Sequence, residues 1–166
     1  MITASRNQLF IAICLLGLAA TGCAVDDVDD QEDLTSVAQG LQCQDSGCDG
    51  MLPQNTNCVL DPGLSIVADG KVFQRGVQIG GIGLLYSPQC HTIWASTAFY
   101  QPQSHRTCAV RRATPDNLAV CQDYTGSFGN VSPMRHLGIG KTGFGRTVLL
   151  TDSTVTARTG DFTRSF

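Results

Sequence analysis

The sequence predicts an all-β, β-dominant domain, a small disulfide-stapled sandwich or barrel preceded by a signal peptide and a disordered acidic tether. Three observations support this fold class. Short runs of β-branched and other apolar residues are separated by turn-forming residues, and the chain contains 18 glycines. No window of helical length keeps a 3.6-residue hydrophobic period. Several cysteines lie between residues 43 and 121, which is typical of small exported domains.

The first 22 residues have the three-part layout of a secretory signal peptide. Arg6 supplies a positive charge, residues 9–20 form a continuous apolar run, and small residues occupy positions 20–22. An apolar run of about a dozen residues is too short for a stable membrane-spanning helix, which needs roughly 20. We therefore predict that residues 1–22 direct export. An ordinary cleaved signal peptide without lipidation and a signal-anchor helix are the alternatives.

The residues before Cys23 indicate lipidation. Ala20-Thr21-Gly22-Cys23 resembles the lipobox of bacterial lipoproteins, although Ala20 stands where that motif usually has leucine. The resemblance implies cleavage before Cys23 and a diacylglyceryl group, with acyl chains such as palmitate, on the Cys23 sulfur. A thiolate is the nucleophile that this acylation needs, and two or more acyl chains anchor a protein stably. The predicted location is extracytoplasmic, on a bacterial membrane facing the periplasm or at the cell surface.

Residues 23–42 form the predicted tether. This segment carries six acidic residues and no basic residue. Because such a segment buries little apolar surface, we expect it to be a flexible linker between the lipid and the domain. Calcium binding is the other reading of these carboxylates, but the spacing of an EF-hand is missing. The acidic residues are Asp26, Asp27, Asp29, Asp30, Glu32 and Asp33.

Residues 43–166 form the predicted extracytoplasmic β-domain, a length that suits one domain. Residues 40–166 carry ten basic and eight acidic residues, a net charge of +2. The basic residues are scattered and form no continuous stripe, so the composition does not support nucleic-acid binding.

Six cysteines remain once Cys14 leaves with the signal peptide and Cys23 takes lipid, and an even number in an oxidising compartment predicts three disulfides. One pair is predictable locally: the connector at 113–117 folds its flanking segments into a hairpin that brings Cys108 close to Cys121. Three pairings stay open for the other four. These could also be drawn, with His91, as a zinc cluster, but no C-x-x-C pair supports that alternative. The four are Cys43, Cys48, Cys58 and Cys90.

The strand signals follow in chain order. Asp69-Gly70 separates two short apolar runs, residues 65–68 and 71–74, and is favoured in two-residue type I′ hairpins. A glycine-rich strand is expected from 76 to 86, and residues 92–100 alternate well enough for another. The cysteine hairpin comes next, and residues 147–151 and 154–158 predict a terminal hairpin around Asp152-Ser153.

Residues 43–100 carry a family resemblance. The segment Cys43-x₄-Cys48-Asp-Gly50, then Pro53, Asn57-Cys58, and the block Leu84-Leu-Tyr-Ser-Pro-Gln-Cys90-His-Thr-Ile-Trp94-Ala resemble the YjfA-like secreted domain of Gram-positive bacteria. Leu85 stands where that family usually has arginine, and Asn57 where it usually has glycine. The resemblance implies a disulfide-bonded extracytoplasmic domain, and it implies no activity.

Candidate chemistry is sparse. Gly138-Ile-Gly-Lys-Thr-Gly143 matches G-x-G-x-x-G, but residues 144–148 look extended, whereas a nucleotide-binding loop leads into a helix. The three histidines, His91, His105 and His136, lie near no G-x-S-x-G elbow. Aspartates 45, 49, 61 and 69 could supply a carboxylate pair for glycoside hydrolysis, but the sequence shows no separation between them. We predict no catalytic residue, no metal site and no cofactor.

The aromatic residues of the strand at 92–100 are the best candidates for ligand contact. In a strand, Trp94 and Tyr100 share one face and Phe99 lies on the other. We predict that Trp94 and Tyr100 form a ligand surface if that face is exposed.

The expected function is a non-catalytic, membrane-anchored envelope lipoprotein that binds an envelope glycan or protein or has a structural role. The alternative is an extracytoplasmic hydrolase acting on peptidoglycan or protein. The oligomeric state stays open.

Overall fold

The computed structural model describes residues 42–166, and residues 1–41 lie outside the described part of the chain. Short 3-10 helices begin the described part, and antiparallel β-strands fill most of the rest. No α-helix occurs between residues 42 and 166, so the predicted β-dominant fold class is confirmed. The 3-10 helices span Asp45–Cys48, Pro53–Asn55 and Asn57–Leu60, and the strands are β1 (Ser65–Gln74), β2 (Val77–Ser87), β3 (Thr92–Phe99), β4 (Gln103–Arg111), β5 (Leu118–Ser127), β6 (Arg135–His136), β7 (Thr142–Leu149), β8 (Thr156–Arg158) and β9 (Phe162–Thr163).

The strands form two sheets, as expected for a sandwich. The first sheet has the order β1-β2-β3-β6, and the second has the order β5-β4-β7-β8 with β9 also paired to β7. All strand pairs are antiparallel. β1 lies beside β8 and β3 lies beside β4, so the two sheets approach each other at these strands.

The predicted hairpin at Asp69-Gly70 is wrong. β1 runs through both residues, and the two-residue turn lies at Arg75-Gly76, where both φ angles are positive as a type I′ turn requires. Gly70 has a different role within the strand. A Cβ atom there would collide with the carbonyl oxygen of Arg158, so glycine lets β1 approach the end of β8 closely.

The two hairpins near the C-terminal half are confirmed. Cys108 on β4 lies directly opposite Cys121 on β5. In the second hairpin, Thr147 on β7 lies opposite Ala157 on β8, and the Asp152 carboxylate accepts hydrogen bonds from the connecting loop. The glycine motif at 138–143 forms a turn that leads into β7, a strand, so the helix that a nucleotide-binding loop needs does not follow it.

The core between the sheets is apolar with a small polar layer. Leu84, Ile93, Ala109 and Leu137 form one buried cluster. The polar layer lies at Thr97, whose Oγ1 is 3.1 Å from His105 Nε2 and 3.3 Å from Thr107 Oγ1. Because each of these groups has a hydrogen-bond partner, burial of the layer carries little desolvation penalty.

A second buried cluster lies on the outer side of the first sheet. Side chains alternate along β3, so Ile93 points between the sheets and Trp94 points away from them. Residues 43–64, which we call the cover, fold over Trp94. One disulfide lies within the cover, and the other joins it to Cys90, two residues before β3. The cluster contains Cys48, Cys58, Cys90, Trp94 and Met134.

Candidate functional site

The six cysteines between residues 43 and 121 form three disulfides, the number that the sequence predicts. Cys108 and Cys121 are paired as predicted, with their Cα atoms 4.1 Å apart. For the other four cysteines, which the sequence left open, the pairs are Cys43–Cys48 and Cys58–Cys90. Cys23, the predicted lipid site, lies outside the described residues.

The predicted joint ligand surface of Trp94 and Tyr100 is not formed. The two residues do share the outer face of the first sheet, but the cover buries Trp94 to 2% exposure. Tyr100 lies past the end of β3, beyond the reach of the cover, and is 63% exposed. Sequence alternation could place both residues on one face, but it could not show that a segment more than 30 residues earlier covers one of them.

The part of this face that the cover leaves free is flat. Gly81 on β2 pairs with Ala98 on β3, and Gly83 pairs with Ser96, so short side chains occupy its middle. Ile66 and Tyr100 stand at its sides, and both are mostly exposed. We call this surface the open face and define it by Ile66, Gly81, Gly83, Ser96, Ala98 and Tyr100.

Tyr100 is oriented by its neighbours. Its backbone N–H donates to the carbonyl oxygen of Ile79, at 3.0 Å, which keeps it in register with β2. Its hydroxyl oxygen accepts a hydrogen bond of 2.9 Å from Gln78 Nε2. The ring therefore has a defined position, although most of it contacts solvent. An aromatic ring held in this way loses little conformational freedom when it binds a ligand.

A polar cluster lies where the cover meets β6. His91 Nδ1 is 2.7 Å from Asp45 Oδ1, and His136 Nδ1 is 3.8 Å from the same oxygen. The hydrogen bond with His91 holds the pKa of Asp45 below its usual value. Asp45 and His91 also both have φ angles in the left-handed region, near 54° and 56°. Such strain in non-glycine residues persists only where surrounding contacts impose it.

The two disulfides of the cover bring Asp45 and His91 together. Asp45 lies between the paired Cys43 and Cys48, and its backbone N–H donates to the carbonyl oxygen of Cys90 at 3.0 Å. His91 follows Cys90 directly, so the Asp45 side chain meets the imidazole. The two residues are 46 positions apart, and the sequence alone could not show this contact without the disulfide pairing.

The other candidate carboxylates have structural partners. Asp49 accepts from the backbone N–H of His136 and forms an ion pair with Arg135. Asp61 is buried; burial raises its pKa, but hydrogen bonds from Ser87 Oγ and from two backbone N–H groups outweigh this effect, so the pKa of Asp61 lies below its usual value. Asp69 lies within β1. Asp49 and Asp61 are thus held by structural partners, whereas glycoside hydrolysis needs two carboxylates that flank one scissile bond.

An imidazole that is oriented by a carboxylate is also one element of a catalytic triad. In residues 42–166, however, no hydroxyl or thiol is hydrogen-bonded to His91 or His136. His105 is fully buried, and its ring contacts Thr97, the carbonyl oxygen of Gln103, Phe99 and Tyr124. Burial lowers the pKa of His105 below its ordinary value. His105 therefore belongs to the core.

The comparisons with known proteins concern the same region. Residues 46–136 match the family model of a protein of unknown function, DUF2690. No curated protein and no solved structure shows significant similarity to the chain. Between residues 42 and 166, no helix has the length and apolar character needed to cross a membrane. The matched region covers more than half of the chain and includes most of the cover, strands β1 to β6 and the open face. The chain belongs to the DUF2690 family of proteins of unknown function.

Proposed function

We propose that this protein is an exported, lipid-anchored envelope protein whose β-domain is a non-catalytic binding module. The signal-like N-terminus and the lipobox-like residues before Cys23 support the export and anchoring. Three disulfides in a domain of this size support an oxidising, extracytoplasmic location. The resemblance of residues 43–100 to the YjfA-like secreted domain is in line with that location.

We further propose that the open face binds the carbohydrate strand of an envelope glycan. The observation that carries this proposal is the exposed and oriented ring of Tyr100 beside a flat surface of small residues. One face of a sugar ring presents C–H groups, which pack against an aromatic ring, and the short side chains leave room for the next sugar. An exposed apolar patch on the surface of a domain also favours a binding role for that surface.

The test is binding to purified murein and to other envelope polysaccharides. Replacement of Tyr100 by alanine should weaken binding by about 30-fold or more, because aromatic anchors in binding surfaces contribute about 2 kcal/mol or more. Tyr100→Phe should retain most of the affinity, since the ring is kept and only the hydroxyl contact with Gln78 is lost. Equilibrium binding with the full chain gives both values.

A matched control is Phe166→Ala. Phe166 is an exposed aromatic residue. It lies two residues after Arg164, whose backbone N–H bonds to Lys141 just before β7 of the second sheet. The open face, in contrast, lies on the first sheet. This variant should bind as the parent does. Equal binding by Tyr100→Ala and the parent, or capture of an envelope protein instead of a glycan, would contradict the glycan proposal.

The second candidate is a hydrolase, and the observation that favours it is the His91–Asp45 hydrogen bond. In that case, His91→Gln and Asp45→Asn would abolish release of soluble fragments from murein or from a protein substrate. A binding module keeps its ligand in both variants. Fragment release by the parent and its loss in these variants would replace the binding proposal with the hydrolase.

The anchor has its own test. Mass spectrometry of the mature protein should find Cys23 at the N-terminus with acyl chains on its sulfur. A mature N-terminus elsewhere, or an unmodified Cys23, would contradict the lipid anchor and leave the binding proposal to be judged on the glycan assay.

A further inference from the structure

The two disulfides of the cover are packed against each other. Cys43 Sγ and Cys58 Sγ, which are not bonded, lie 3.5 Å apart. The Sγ atoms of Cys43, Cys48, Cys58 and Cys90 all lie within 4.8 Å of one another. The remaining disulfide, Cys108–Cys121, joins β4 to β5 in the second sheet and takes no part in this cluster.

Four sulfur atoms at these distances are close to the arrangement of a tetrathiolate metal site. Zinc holds each thiolate at about 2.3 Å in a tetrahedron, which places neighbouring sulfur atoms about 3.8 Å apart. The contact between Cys43 and Cys58 is already near that value. If both S–S bonds were broken, the bonded pairs would separate by about 1.5 Å to reach it. The fold already holds the four sulfur atoms close together, so the backbone need not rearrange to bring the four ligands to one metal ion.

The surroundings of the sulfur atoms also suit a metal. Cys48, Cys58 and Cys90 are fully buried, and Trp94 and Met134 pack against them. Such an apolar shell excludes water that would compete for the metal. Cys43 is partly exposed beside a cavity of about 360 Å³, which provides a path for entry. Amide side chains line this cavity with Cys43, and its lining residues are Gln42, Cys43, Gln44, Asn57 and Gln89.

We propose that these four cysteines, when reduced, form a tetrathiolate site for a soft divalent metal ion of the zinc class. The reductant is a dithiol. Each protein disulfide takes up two electrons and two protons and becomes two thiols, while one dithiol becomes a disulfide, so two dithiols reduce the cluster. The metal then displaces the four thiol protons and bonds to four thiolates.

The donor set selects the metal. Thiolates favour zinc and cadmium over calcium and magnesium, which prefer oxygen. His91, the nearest histidine in sequence, has its Nδ1 at 2.7 Å from Asp45 and stays part of the polar cluster. The consequence is that the cover has two closed forms, one held by two disulfides and one held by a metal. This inference does not depend on the glycan proposal.

The experiment is a metal titration of the full chain. The protein is reduced completely, freed of reductant without oxygen, and titrated with cadmium, whose bonds to thiolate absorb in the ultraviolet, and with cobalt, whose visible bands report tetrahedral geometry. We expect one equivalent of either metal to bind, with cobalt in a tetrahedral thiolate site. The oxidised protein should bind none at this site.

Matched variants locate the site. The double variant Cys108→Ser/Cys121→Ser should still bind one equivalent. Cys48→Ser and Cys90→Ser each remove a direct metal ligand. Each variant should lose more affinity than the roughly 10–100-fold that loss of an outer contact costs a metal site. Equal affinity in the Cys48→Ser variant and the parent would overturn the proposal, as would the absence of binding to the reduced parent.

Trp94 distinguishes a folded site from binding to unfolded cysteines. It is the single tryptophan of the chain and packs against the cluster. We expect one equivalent of zinc to restore the near-ultraviolet circular dichroism of Trp94 in the reduced protein to its form in the oxidised protein. Metal binding that leaves this signal in its reduced form would overturn the proposal.

Discussion

The outer face of the first sheet has two halves with opposite environments. Trp94 lies on β3, and Tyr100 lies six residues later, just past the end of the strand. Both point to the same side, yet Trp94 is 2% exposed and Tyr100 is 63% exposed. The difference comes from the cover, which disulfides hold over one half only. Strand periodicity therefore determines which side a residue faces. Whether that side contacts solvent depends on segments that are distant in sequence.

The largest effect should come from Trp94→Ala. Removal of a buried tryptophan costs about 3–5 kcal/mol of unfolding free energy, because the cavity left beneath the cover is not refilled. Tyr100→Ala on the open half should change stability by no more than about 0.5 kcal/mol, as exposed substitutions do. Urea unfolding measures both. Similar losses in the two variants would break the distinction between the halves.

The cover should also depend strongly on its longer disulfide. Cys58 and Cys90 are 32 residues apart, and loss of their bond in Cys58→Ala/Cys90→Ala should cost about 3.7 kcal/mol by the chain-entropy relation. The same relation gives about 3 kcal/mol for the Cys108–Cys121 bond, which serves as the control. In the first double variant the Trp94 fluorescence should shift to the red because the cover loosens. In the control variant the emission should stay unchanged.

The buried histidine His105 lies on the inner side of β3, in an environment unlike either half of the outer face. His105 is buried there between Phe99 and Tyr124, and burial lowers its pKa below the ordinary 6.5. The unfolded chain therefore binds a proton that the folded protein does not. His105 stabilises the fold fully above pH 6.5, and this stability is lost as the pH falls from 6.5 through the lowered pKa.

A pH series of thermal unfolding tests this. His105→Gln should lose about 1–3 kcal/mol at pH 7 through its unpaired neighbours, and it should unfold with a weaker dependence on pH below 6.5. Thr107→Val, which removes a hydroxyl of the same buried polar layer and no titrating group, is the matched control and should keep the pH dependence of the parent. An unchanged pH profile in His105→Gln would show that its titration is not coupled to folding.

The smallest effect is expected for Asp45→Asn at the edge of the cover. Asparagine tolerates the left-handed backbone conformation of Asp45, so the variant mainly removes the charge. The pKa of Asp45 is held down by His91, so its contribution exists above the ordinary value of 3.8 and is lost as the pH falls through the lowered pKa. Thermal midpoints should fall slightly at pH 6, and the difference from the parent should shrink as the pH falls below 3.8. Salt should weaken the effect, because the pair is exposed.

Much of the fold could be predicted from local patterns. The class, the strand at 92–100 and the pairing of Cys108 with Cys121 all follow from residues close together in sequence. The turn at Asp69-Gly70 was mispredicted because the dipeptide suits a hairpin locally, whereas the contact with Arg158 comes from a strand almost 90 residues later. The Arg75-Gly76 turn carries the weaker local signal.

The candidate sites show the same limit more sharply. Alternation along the strand at 92–100 placed Trp94 and Tyr100 on one side. The cover, however, depends on the Cys58–Cys90 bond, which belongs to one of the three pairings that the sequence left open. The contact of Asp45 with His91 and the clustering of four sulfur atoms follow from the same bond. Long-range covalent pairing was the missing information in each case.

The bond between Cys108 and Cys121 has a consequence for how copies of the protein meet. β5 is the edge strand of the second sheet, and its backbone is the part of that sheet most able to pair with another molecule. Because a covalent link joins it to β4, this hairpin cannot open and exchange its strand with a neighbour. Copies of the protein are therefore protected from domain swapping at this edge.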